Sequence, residues 1–231
     1  METGLVKQYS FTPPRLADPA GLDTHSQRGA RRAEYLLVIY PNGDLQEKLL
    51  EEQQQFSADY GLQMTVRNKP HITVAAFQAG EIMEDTLIRW VQRICNSYKS
   101  FELTLNNYSG FPPHTIYLRV QDPHPFRQLM QQLRSIDEFI RSSGCPPANL
   151  ISKPFLSIAG GLTEQLYNKA MPEYSRRTFH DSFQVDELVL LKRTHSFDAC
   201  KTVNIFRLQP GSADPSTALL PRHLQTLPRH L

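Results

Sequence analysis

One short segment occurs twice in this chain, and the two copies differ in chemistry at a single position. The first copy reads Lys69-Pro70-His71-Ile72-Thr73-Val74-Ala75, and the second, 84 residues later, reads Lys153-Pro154-Phe155-Leu156-Ser157-Ile158-Ala159. Lys, Pro and Ala repeat unchanged, and Ile/Leu, Thr/Ser and Val/Ile are near-synonyms. Only His71 against Phe155 alters what the side chain can do. A duplicated segment asks for similar surroundings twice, so the chain is expected to build two similar halves.

The halves are visible in the hydrophobic periodicity. Tyr35–Tyr40 is a nearly continuous apolar run, read as a buried strand. Leu45, Leu49, Phe56 and Tyr60 mark a helix over Asp44–Tyr60. Ile72 and Val74 mark the next strand, and Ile82, Thr86, Trp90, Ile94 and Tyr98 a second helix. Phe101, Leu103 and Leu105 alternate as a strand, as do Ile116, Leu118 and Val120. Phe126, Leu129, Leu133, Ile136 and Ile140 trace a third helix, and Leu162, Leu166, Ala170 and Tyr174 a fourth around the second copy. Val185–Leu191 and Val203–Leu208 are read as neighbouring final strands. Each copy thus falls within a β-α-β-α-β run. The expected fold is α+β, with two pseudo-symmetric lobes, each a small, largely antiparallel sheet backed by helices, and a central groove between them.

The flanks read differently. Residues 1–33 are polar, Pro-rich and aperiodic, the pattern of a flexible N-terminal arm; residues 209–231 carry five prolines or glycines and read as a tail with a short helical turn near Leu219 or Leu224. The domain expectation is therefore an arm (1–33), a two-lobed body (34–208) and a C-terminal tail (209–231). The net charge of +2 comes from the flanks: the body holds 18 basic and 19 acidic residues. That balance argues against an extended DNA-binding surface but is compatible with a small phosphate ligand held by local groups. The Arg28, Arg31 and Arg32 cluster reads as a solvated linker. Three scattered cysteines, with no CxxC pair, indicate neither a disulfide framework nor a zinc site. With no apolar run long enough to span a bilayer, a cytoplasmic protein is expected.

In a strand, residues i and i+2 share a face. His71 and Thr73 therefore project together while Ile72 and Val74 anchor the other side; Phe155 and Ser157 stand in the same relation over Leu156 and Ile158. Imidazole exchanges protons near neutral pH, and a hydroxyl two residues away can donate to a phosphate oxygen. Two such units would supply a base, an acid and two phosphate donors without a metal. Thr115, Tyr117 and Arg119 alternate with Ile116, Leu118 and Val120, so Tyr117 is a candidate for base stacking and Arg119 for phosphate. Lys69 and Lys153 would share the face of His71 and Phe155 if the strands extend through Pro70 and Pro154. His114, His180 and His195 read as surface or loop histidines, and Tyr108–Pro113 as a turn.

These residues resemble the 2H phosphoesterase superfamily, particularly its 2′-5′ RNA ligase and cyclic phosphodiesterase branch, over about residues 34–208. The resemblance implies two His-x-Thr/Ser motifs. The first matches at His71 and Thr73. The second matches at Ser157 and departs at Phe155, where the family has its second histidine. It further implies a ligand that is a nucleotide, a cyclic oligonucleotide or an RNA end, no cofactor, and hydrolysis of a cyclic or 2′-5′ phosphodiester. His71 and position 155 would share acid and base roles, and Thr73 and Ser157 would hold phosphate. Phe155 cannot transfer a proton, so the chain is expected to be impaired as an enzyme, with a non-catalytic nucleotide- or RNA-binding protein as the alternative. A recent or deliberate change at 155 and a natural loss of catalysis both stay open at this point.

Overall fold

The computed structural model describes residues 32–62, 69–194 and 198–211. The chain runs β1 (Arg32–Ile39), α1 (Gly43–Tyr60), β2 (Ile72–Gly80), α2 (Glu84–Cys95), β3 (Phe101–Phe111), β4 (Thr115–Gln121), α3 (His124–Ser142), β5 (Asn149–Leu150), β6 (Phe155–Ala159), α4 (Glu164–Tyr174), β7 (His180–Val185), β8 (Glu187–Arg193) and β9 (Lys201–Arg207). All pairings between these strands are antiparallel, in one continuous sheet of order β7-β3-β4-β6-β2-β1-β8-β9, with β5 pairing to β2. The α+β class and antiparallel sheet are as expected. The strands of the two halves are joined rather than separate, because β2 and β6 pair directly at Ile72 and Leu156. No described helix is long and apolar enough to cross a membrane.

The helices divide between the halves. α1 lies against β6, and α4 against β3 and β4; α2 packs on α3 and beside β9, and α3 beside β5. Helix α1 follows β1 in sequence but serves the sheet half that contains the second copy of the repeat. Its buried face carries Leu45, Leu49 and Phe56. Phe56 packs on Tyr174 of α4 with ring centroids 5.2 Å apart, and Tyr174 meets Tyr108 of β3 edge-on at 5.1 Å. Tyr108 Oη donates to Glu52 (2.8 Å), and Tyr60 Oη to Glu173 (2.8 Å). Each fully buried large apolar side chain of this kind contributes about 1.5–3 kcal/mol of transfer free energy.

The sheet has one deeply buried face. Ile72, Val74, Ile116, Leu118, Leu156 and Ile158 are all at most 1% exposed and belong to the main core. The alternation that buries them leaves the intervening residues, the polar members of the repeat among them, on the opposite face.

Some sequence expectations shift. The stripe read for the second helix is Ile82, Thr86, Trp90, Ile94 and Tyr98, of which Ile94 and Tyr98 pack partly buried against the core. The helix starts at Glu84, after a 3₁₀ turn, and buries Leu87, Val91 and Cys95, while Ile82 is 86% exposed. Trp90 instead stacks on Phe139 of α3 at 5.2 Å. The strand expected over Val185–Leu191 is β8, from Glu187; Val185 instead ends a separate strand, β7, that was not expected, and the expected neighbours β8 and β9 do pair. Tyr108–Phe111, read as a turn, completes β3. β1 begins at Arg32, and at the other end Gly211 N donates to Ser100 Oγ (2.7 Å). The arm to residue 31, the tail from 212 and His195 lie outside the described residues.

Gly110 of β3 has a local task. A Cβ built there would land on the Tyr167 phenol oxygen and within 2.8 Å of Met171 Sδ. Tyr167 and Met171 are on α4, so the missing side chain lets the helix seat on β3. Gly110→Ala is expected to cost about 1–3 kcal/mol through overpacking, read as a lower midpoint in urea unfolding with an unchanged slope.

Candidate functional site

Residues directly opposite in an antiparallel pair lie on the same face of the sheet. The Ile72–Leu156 pair therefore fixes the whole arrangement. Stepping the register by one residue each way sets His71 beside Ser157 and Thr73 beside Phe155. On the other side of β6, Tyr117 pairs with Ser157 and Arg119 with Phe155. One sheet face thus gathers His71, Thr73, Phe155, Ser157, Tyr117 and Arg119. The structure brings together the expected residues of both copies and of β4.

His71 is held by local contacts. Its Nδ1 lies 2.8 Å from the Lys69 carbonyl oxygen. A carbonyl only accepts, so Nδ1 carries the proton and Nε2 keeps the lone pair. The ring packs edge-on against Tyr40 at a centroid distance of 6.0 Å. Burial lowers the His71 pKa from its ordinary value of 6.5, and the Lys69 carbonyl opposes this in part. Burial thus favours the neutral ring, and the Lys69 carbonyl places its proton on Nδ1.

Helix α1 ties down both copies from behind. Gln46 Nε2 donates to the Pro70 carbonyl (3.3 Å) and Gln53 Nε2 to the Ser157 carbonyl (2.9 Å). These glutamines are seven residues apart, two helical turns, and so share a helix face. Neither was flagged by the sequence, because a polar residue on an amphipathic helix carries no mark of what it will touch.

The surroundings are asymmetric. On the β1 side Val38 pairs with Thr73, and Val38, Val189 and Leu191 form a small buried cluster with half-buried Leu36, Tyr40 and Cys200. On the β4 side the neighbours are aromatic and cationic: Tyr117 and Phe155 have ring centroids 5.1 Å apart, and exposed Arg119 donates through Nε to the Asn106 carbonyl (3.3 Å). Phe111, which sequence reading placed in a turn, stacks on Tyr117 at 4.3 Å. Lys69 and Lys153 are exposed. β2 begins at Ile72 and β6 at Phe155, so strand alternation does not extend back through the prolines to either lysine. His114 and His180 are exposed, and His114 Nδ1 donates to the Leu162 carbonyl (3.2 Å). Among the described residues, no group of three or more His, Cys, Asp or Glu side chains is placed to hold a metal ion.

The sequence model of the 2′-5′ RNA ligase superfamily matches residues 45–196, which include both copies of the repeat. The chain belongs to this superfamily. Its members' fold is also found among solved structures. E. coli LigT complexed with 3′-AMP aligns at 18% identity and TM-score 0.55, over 77% of this chain and 98% of that one. LigT complexed with NADP+ aligns at 18% and 0.51 over the same shares, and the TT0787 protein of Thermus thermophilus at 13% and 0.55, again over 77% and 98%. At these identities the likeness is one of fold. Curated protein sequences give no match. Within the superfamily frame, the pairing of β2 with β6 is what sets the two motif strands of this chain side by side.

The lowered His71 pKa gives a direct check. The folded chain should bind its proton less readily than the unfolded chain, so stability falls as pH drops from about 6.5 toward the folded-state pKa. An NMR titration of the His71 ring should show a midpoint below 6.5, moving upward when inorganic phosphate is added, because a nearby anion favours the imidazolium.

Proposed function

We propose that this chain is a metal-independent phosphodiesterase of the 2H type that works with one histidine. Its substrate would be a nucleotide or RNA phosphodiester: a 2′,3′-cyclic phosphate, a 2′-5′ linkage or a cyclic oligonucleotide. The observation that carries this reading is the interleaving of His71, Thr73, Phe155 and Ser157 around the Ile72–Leu156 pair. The family match supports the reaction class, and the fold shared with a protein complexed with 3′-AMP supports a nucleotide as the ligand.

In this scheme Thr73 and Ser157 hydroxyls donate to the non-bridging phosphate oxygens. His71 Nε2 takes the proton of the attacking water as its oxygen bonds to phosphorus. The P–O bond to the leaving oxygen then breaks, and that oxygen needs a proton. A histidine at position 155 would supply it; Phe155 cannot, so water must, and turnover is slow. Arg119 and the flanking Lys69 and Lys153 add positive charge for the phosphate, and Tyr117 offers a ring to a base. The apolar wall around Val38 makes donors to a phosphate more effective than they would be in bulk water.

A second reading is a nucleotide- or RNA-binding protein without turnover. It is favoured by the packing of Phe155 against Tyr117 and Phe111, which gives position 155 a role that needs no proton. The two separate by assay on nucleoside 2′,3′-cyclic phosphates and 2′-5′-linked dinucleotides. Phe155→His is expected to raise the hydrolysis rate by about 10²–10⁴-fold, and His71→Ala to abolish it in both backgrounds. Tight binding with no hydrolysis in either the parent or the Phe155→His protein selects the second reading.

A further inference from the structure

The ring at position 155 does not stand alone. Phe155, Tyr117 and Phe111 form a continuous aromatic cluster across β6, β4 and β3. Phe111 and Tyr117 stack nearly parallel (4.3 Å, 23°), Phe155 meets Phe111 edge-on (5.1 Å, 76°), and Phe155 tilts against Tyr117 (5.1 Å, 56°). The cluster lies on the face that carries His71, Thr73 and Ser157: Tyr117 pairs with Ser157, and Phe155 is one residue from the Ile72–Leu156 pair. Phe111 is 44% exposed, one of four large apolar side chains among the described residues so left open.

We infer that this cluster is a preformed nucleobase platform, in which Phe155 offers a ring to a base at the position where the family motif has a histidine. The inference deepens the nucleotide reading above and rests on it. A nucleobase is flat, presents a π-face whatever its identity, and is tethered through ribose to the phosphate. A phosphate held by Thr73 and Ser157 would bring its base beside these rings. The rings brace one another, so little side-chain freedom is lost when a base lands. Arg119, opposite Phe155 across the β4–β6 pair, adds a cation beside the rings and the phosphate. An exposed apolar ring such as Phe111 is better stabilised under a base than in water. Base–aromatic stacking of this type is sequence-tolerant and changes affinity by about tenfold or more per base when the ring is removed.

The test compares two probes by calorimetry on the full chain: adenosine 3′-monophosphate and abasic ribose 3-phosphate. The parent protein should bind the adenosine nucleotide at least about tenfold more tightly. Phe111→Ala and Phe155→Leu should bring that ratio toward one while leaving the abasic ligand's affinity in place, and Phe155→Tyr, which keeps a ring, should retain it. Thr73→Ala should weaken both ligands and leave the ratio unchanged. Equal affinities in the parent protein would overturn the platform and leave the phosphate site standing. Failure of the parent protein to bind either probe would overturn the nucleotide reading itself.

Discussion

The pairing of β2 with β6 is the contact on which the site depends. Its one register pair joins Ile72 to Leu156, both fully buried. Those side chains are driven into the core by the same hydrophobic term that forms the rest of the sheet. Because the side-chain period of a strand is two, burying Ile72 and Leu156 obliges His71, Thr73, Phe155 and Ser157 to share the opposite face. A slip of one residue would turn one copy over and separate the hydroxyls. Gln46 and Gln53 of α1 hold the backbone of each copy from the helix side, and β5 extends the contact along β2 at Ala75 and Ala76.

Around that pairing the two sides of the site have different characters. The β1 and β8 side is apolar, with Val38, Val189 and Leu191. On that side the His71 ring meets Tyr40; burial favours its neutral form, while the Lys69 carbonyl fixes the tautomer. The β4 and β3 side is aromatic with a cation, Arg119, at its margin. A phosphate at the junction would meet hydroxyl donors from both copies, a base from the first, and a ring where a second proton donor would otherwise stand.

Much of this was legible in the chain, and the exceptions have physical reasons. The repeat implied equivalent strand positions for His71, Thr73, Phe155 and Ser157, and the β2–β6 register sets them around one pair. The strands around Ile116 and Phe101 were readable from strict alternation, and α3 from Phe126 to Ile140 from its period. The stripe read for the second helix was right only in part: Ile94 and Tyr98 pack against the core, but Ile82 and Trp90 are exposed while Leu87 and Val91 are buried, and only packing decides which apolar residues face inward. The strand β7 was missed except for its last residue, Val185, because His180, Asp181 and Ser182 carry no apolar signal; Phe183 and Val185 alone face the core. Phe111 was passed over because the prolines that follow it read as a turn, although the strand runs up to them. Its partnership with Tyr117 and Phe155 depends on the β3–β4–β6 pairing, which is long-range and leaves no local trace.

In the proposed site, Thr73 of one copy and Ser157 of the other grip the same phosphate. A double-mutant cycle measures this directly, with Thr73→Ala, Ser157→Ala and the double variant titrated with adenosine 3′-monophosphate. Two hydroxyls on one phosphate should be coupled, with an interaction energy of about 0.5–3 kcal/mol. Additive losses within about 0.5 kcal/mol would mean that the two copies do not share a ligand, and would contradict a single site built across the β2–β6 pair.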